Sequence, residues 1–154
     1  MGSLVVAVVG PSSADPSDLA AAERVGAALA AHSAIVVTGG LGGVMEAASR
    51  GAASAGGVVV GLLPGVDRSA ANEWVSFALP TGLGELRNGL IVRACDAMIA
   101  VGGGYGTLSE IALALKAGKR VVGIGSWDVE GVQQAPDAAS AVDLVLATPS
   151  PPAG

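Results

Sequence analysis

The apolar residues fall into short unbroken runs, at residues 4–9, 34–38, 57–63, 96–101 and 120–124, with Ala-rich or polar stretches between them. Runs without polar alternation are the mark of strands buried on both faces, as in a parallel sheet covered by helices. Residues 74–78 read as a shorter strand, and residues 142–147 as a last one. Between the runs the spacing turns helical. Over 17–31, Leu19, Ala22, Val25, Gly26 and Leu29 share one face. Further helices are predicted through Val44, Met45 and Ala48, over 84–94, over 111–118 with Gly118 as the closing residue, and briefly over 135–141.

Strand and helix alternate, and neither a dividing linker nor a periodic repeat appears. The fold class is therefore α/β: a single doubly wound Rossmann-like domain over 1–147 with a mainly parallel sheet of about seven strands. The Pro-rich end, 148–154, is expected to be a disordered tail.

Glycine punctuates the ends of several runs. Gly10-Pro11-Ser12-Ser13 follows the first, Gly39-Gly40-Leu41-Gly42-Gly43 the second, and Gly102-Gly103-Gly104-Tyr105-Gly106-Thr107 the run at 96–101. A Gly-rich strand-to-helix turn lets backbone approach a ligand, and the helix N–H groups and dipole favour an anion there. Two such turns in one parallel sheet open on the same edge. Gly103, Gly104, Tyr105, Gly106 and Thr107 are the expected phosphate cradle. Gly10, Ser12, Gly39, Gly40, Gly42, Gly43 and Asn88 are expected elsewhere in the ligand site. Ser12 either bonds a ligand or shapes its turn. Thr107 and Glu110 also fit a capping box, in which each satisfies a backbone N–H of the helix start. Arg87 and Asn88 open the helix at 84–94, where they either reach a ligand anion or, as the residues alone favour, are simply solvated, and the polar loop 64–73 can fold over a ligand.

Composition narrows the partners. Only 14% of the 154 residues are charged, against about 25% in ordinary domains, so part of the surface is expected to be covered by another subunit. A net charge of −5 argues against nucleic acid, whose binding rests on Lys and Arg contacts to phosphate. The apolar stretch 51–66 is interrupted by glycines and Pro64 and is too short to span a bilayer. With no basic and apolar leader at the N-terminus, the expected location is cytoplasmic, with no membrane partner. Cys95 is the lone cysteine and His32 the lone histidine. Neither a disulfide nor a Cys-based metal site follows; a packed thiol and a helix-end imidazole are expected.

Gly102 to Glu110 resembles the PGGxGTxxE signature of the LOG (Lonely Guy) proteins, often called lysine decarboxylase-like. Thr38 to Met45 resembles that family's first Gly-rich loop, and Leu63-Pro64 its proline at the third strand end. The resemblance implies cleavage of the N-glycosidic bond of nucleoside 5′-monophosphates to release ribose 5-phosphate. Arg87 and Glu110 would then be catalytic, and the GGxGT segment would hold phosphate. A carboxylate there can stabilise an oxocarbenium-like state and orient water.

Gly102 stands where the signature has Pro, and Arg87-Asn88 where the hydrolases have Arg-Lys. In these features the chain is more similar to a sister branch, the molybdenum-cofactor carrier proteins, which bind a pterin phosphate. Two ligand-based functions stay open, beside a third in which the chain is a structural or regulatory module and the Gly loops are mere turns. One is a carrier of a phosphorylated nucleotide-like ligand such as molybdenum cofactor. The other is a phosphoribohydrolase. Both imply a homodimer or homotetramer. A dehydrogenase is disfavoured, because the first turn lacks the dinucleotide Gly pattern and no acidic residue ends the second strand.

Overall fold

The computed structural model describes residues 2–147; the tail expected to be disordered lies outside them. The elements run β1 (Val5–Val9), α1 (Pro16–Ala31), β2 (Ile35–Thr38), α2 (Val44–Ser54), β3 (Val59–Leu63), β4 (Phe77–Pro80), α3 (Arg87–Ala94), β5 (Ala97–Val101), α4 (Tyr105–Lys116), β6 (Arg120–Ile124), β7 (Val132–Gln134) and α5 (Ala138–Leu146). The seven strands form one sheet in the order β4-β3-β2-β1-β5-β6-β7. Every pairing is parallel, with Val6 opposite both Val36 on β2 and Ala97 on β5.

The central runs are apolar throughout because both faces are covered. Alternate residues of β1 serve two cores. Val6 and Val8 pack with Ala22, Val25, Ala48 and Val142 from α1, α2 and α5. Ala7 and Val9 pack with Ile91, Ile111 and Ala114 from α3 and α4.

One end of the chain departs from the sequence-based expectation. Within the stretch 142–147 expected as a strand, residues 142–146 form the last turns of α5 and Ala147 its C-cap, and the helix expected over 135–141 begins at Ala138. The Asp137 carboxylate caps that helix by accepting from Ser140 N–H at 2.8 Å. Ala138, Ala141, Val142 and Val145 are buried, which is helical spacing. The seventh strand is instead Val132–Gln134, a short edge strand beside β6. The fourth strand also sits later than expected, at Phe77–Pro80 rather than 74–78.

The sheet order places the site. The chain steps from β1 through β2 and β3 to β4 on one side, then returns through α3 to β5 on the other side of β1. The crevice beyond the carboxyl ends of β1 and β5 is the switch point at which such sheets bind ligands.

Candidate functional site

A cleft of about 520 Å³ opens at this crevice. Gly10, Pro11 and Ser12 come to it from the end of β1, and Gly104, Gly106, Thr107 and Glu110 from the start of α4. Opposite them stand Arg87 and Asn88 at the start of α3, with Leu41 from the turn after β2, Met45 from the first turn of α2 and Pro64 just past β3. Both Gly-rich turns thus serve one sheet edge. A hollow of about 560 Å³ at the opposite edge holds Lys119 and Arg120. Lys119 Nζ donates there to the Cys95 carbonyl (2.7 Å), and Arg120 Nη1 to those of Leu144 and Ala147.

The α4 start is built to present backbone donors. Its N-cap is Gly104, at φ +94°, and no side chain caps the helix. Thr107 and Glu110 are therefore the third and sixth helical residues, and the capping box does not form. The first N–H groups of any helix lack intrahelical partners, and Gly106 and Thr107, which carry two of them, line the cleft at the positive end of the helix dipole. The space in front of Gly103 and Gly106 is open, with no atom within 4 Å of where a Cβ would lie. Thr107 is buried.

Across the cleft stands Arg87, only 9% exposed. Its Nη1 donates to Asn88 Oδ1 at 3.2 Å, and its Nε has no partner. A buried guanidinium with unfilled donors is costly unless an acceptor arrives. Glu110 is also buried. Loss of solvent pushes its carboxyl up to about 7, and the field of Arg87 opposes that rise. Burial likewise lowers the Arg87 pKa, with Glu110 acting against the shift. Among the described residues the single ion pair within 4.0 Å is Arg50–Glu23, so Arg87 and Glu110 sense each other without joining.

The glycines of the second loop shape the wall from behind. Gly39 lies under the Arg87 guanidinium and Met45, Gly40 packs on Leu63, and Gly43 packs on Pro11 and Ser12. Gly42 is more open, with only the Ser12 carbonyl at 4.0 Å from its Cβ position. Asn72 ties the far end of the 64–73 loop to this turn, donating from Nδ2 to the Leu41 carbonyl (2.9 Å) and from its N–H to that of Gly40 (2.9 Å). Tyr105 points away from the cleft lining and stacks on Trp127, whose Nε1–H donates to the Gly104 carbonyl at 2.9 Å. Asn72 and Trp127 carry no sequence signal of these roles, because both act through contacts between distant loops.

The other singled-out residues stand apart. Cys95 is buried, donates weakly to the Val92 carbonyl (3.4 Å), and has its thiol pKa raised chiefly by burial. His32 ends α1, with Nδ1 2.9 Å from the Ala28 carbonyl. Among the described residues no three His, Cys, Asp or Glu side chains gather as a metal site, and no helix is long and apolar enough to cross a membrane.

The model of the SLOG cluster4 family matches residues 3–149. The chain belongs to the SLOG cluster4 family. An uncharacterized protein of Archaeoglobus fulgidus is 45% identical over 119 residues, covering 77% of this chain and 78% of its own. Among solved structures, a molybdenum cofactor binding protein from the phototrophic bacterium Rippkaea orientalis superposes with a TM-score of 0.91 at 36% identity, over 95% of this chain and 97% of that one. The molybdenum cofactor carrier protein of Chlamydomonas reinhardtii gives 0.86 at 36% identity, over 94% and 97%. The SLOG cluster4 assignment and these neighbours agree with the LOG-superfamily resemblance and with its carrier branch.

Proposed function

We propose that this protein binds a phosphorylated pterin of the molybdenum-cofactor class and carries it as cargo. The observation that bears most weight is the Arg87 guanidinium, nine-tenths buried with an unpartnered Nε, in the same cleft as the uncapped start of α4. In this reading the N–H groups of Gly106 and Thr107 hold the phosphate. Arg87 complements its charge, and Asn88 and Ser12 offer polar contacts to the rest of the ligand. The cleft residues fit such a cargo: the backbone donors of the α4 start face Arg87 and Asn88, and Leu41, Met45 and Pro64 supply apolar surface for a flat ring. The 36% identity with the Rippkaea orientalis protein supports the same class.

One observation favours a second reading, the phosphoribohydrolase. Glu110 sits near the phosphate end with its carboxyl at about 7, the range suited to general acid–base work at neutral pH. Asn88, however, brings no second cation. The discriminating experiment incubates the protein with AMP and other nucleoside monophosphates and assays ribose 5-phosphate, with Glu110→Gln as control. The carrier reading predicts no release from any monophosphate together with saturable binding of a pterin phosphate. Turnover of about 1 s⁻¹, the low end for ordinary enzymes, lost in the Gln variant, would establish the hydrolase instead.

A homo-oligomer is part of the proposal. The segment from β4 into α3 exposes Phe77, Leu79, Leu83, Leu86 and Leu90, a concentration of apolar surface that solvent does not favour.

A further inference from the structure

The chain has only four aromatic side chains, Trp74, Phe77, Tyr105 and Trp127, and two of them meet beside the α4 start. The Tyr105 and Trp127 rings stack with centroids 6.0 Å apart and planes 28° from parallel. Tyr105 is nevertheless 84% exposed, so burial does not account for its position. Trp127 is held by its Nε1–H bond to the Gly104 carbonyl (2.9 Å), and its own carbonyl accepts from Gln134 Nε2 (3.1 Å). The pair is therefore anchored to the backbone of the Gly-rich turn while one aromatic face stays in solvent.

Its side of the turn matters. Trp127 lies on the connection from β6 to β7, and β6 flanks β5 on the side away from β1. Neither aromatic lines the cleft, whereas Gly104 and Gly106 do. The row of free N–H groups at the α4 start thus separates the cleft from the aromatic pair. We infer that Tyr105 and Trp127 form a second subsite, which stacks a planar heterocycle joined to the ligand beyond its phosphate. The ligand class is a dinucleotide-type phosphoanhydride, with one flat ring in the cleft and a second on Tyr105. Sequence-tolerant stacking of bases on aromatic faces is the physical basis. The inference rests on the phosphate-binding reading of the α4 start.

FMN and FAD are suitable probes, since they share a pteridine-type ring and phosphate and differ by the added AMP unit. Calorimetric titration of both is made with the full chain, Tyr105→Ala, Tyr105→Phe and Arg87→Ala. The expected result is FAD binding about tenfold tighter than FMN, the order of one stacked base. That ratio should fall to about one in Tyr105→Ala and persist in Tyr105→Phe. Equal affinities in the unmodified chain, or a ratio that survives Tyr105→Ala, would overturn the second subsite while leaving the phosphate site standing. FMN binding indifferent to Arg87→Ala would instead remove the phosphate reading. If neither flavin binds, the second subsite falls.

Discussion

The Arg87 guanidinium occupies the space in which a side chain at residue 39 would begin. A Cβ on Gly39 would meet Nη1 of Arg87, with Cζ at 2.8 Å and Met45 Sδ at 2.7 Å. The second Gly-rich turn thus serves the site indirectly, by letting a buried cation lie on bare backbone. Gly39→Ala should push Arg87 out of place, at a cost of about 1–3 kcal/mol in denaturant unfolding, as for other overpacked sites. It should also weaken binding of a phosphorylated ligand. Unaltered stability and affinity would show that Arg87 has room to move without consequence.

Glu110 makes stability depend on pH in a definite direction. Folded, its carboxyl holds the proton up to about pH 7; its ordinary value is 4.5. Between these values the folded state binds more protons than the unfolded one, so stability is full below 4.5 and falls as pH rises through 7. The loss amounts to about 3 kcal/mol. Glu110→Gln lacks this slope, so the stability difference between the two proteins should shift by about that amount between pH 4 and 8. Parallel stability curves would refute the buried, proton-holding state.

The same carboxyl should couple ligand binding to protons. An anion in the cleft favours the neutral form of Glu110, so binding near pH 7 takes up protons. Titration in buffers of different ionisation enthalpy measures the uptake, and subtracting the Glu110→Gln value removes the ligand's own phosphate ionisation. No difference between the two proteins would place the anion away from Glu110.

The parallel sheet and its Gly-rich edge were legible because buried strands write themselves as unbroken apolar runs. The end of the chain was misread for the same reason. Val142 to Leu146 is almost wholly apolar, and only the buried spacing from Ala138 to Val145 marks a helix. Val132–Gln134 escaped because a short edge strand containing two glutamines has no such run. Within the site, Arg87, Thr107 and Glu110 were legible through the signature resemblance. The capping alternative for Thr107 and Glu110 yielded only to the observed start of α4 at Tyr105. Asn72 and Trp127 were invisible, since their partners lie in remote loops.

Self-association should depend on the exposed apolar face around α3. Leu86 is 77% exposed, so Leu86→Glu should leave the fold intact and shift the protein toward monomer by light scattering. A monomer before the substitution, at micromolar concentration, would rule out the oligomer.

Native mass spectrometry reads directly what the cleft holds. Protein purified from a host that makes molybdenum cofactor should carry a phosphorylated pterin, and Arg87→Ala should lose it. Protein that shows no pterin-bound species, even after incubation with excess cofactor, would rule out the pterin carrier.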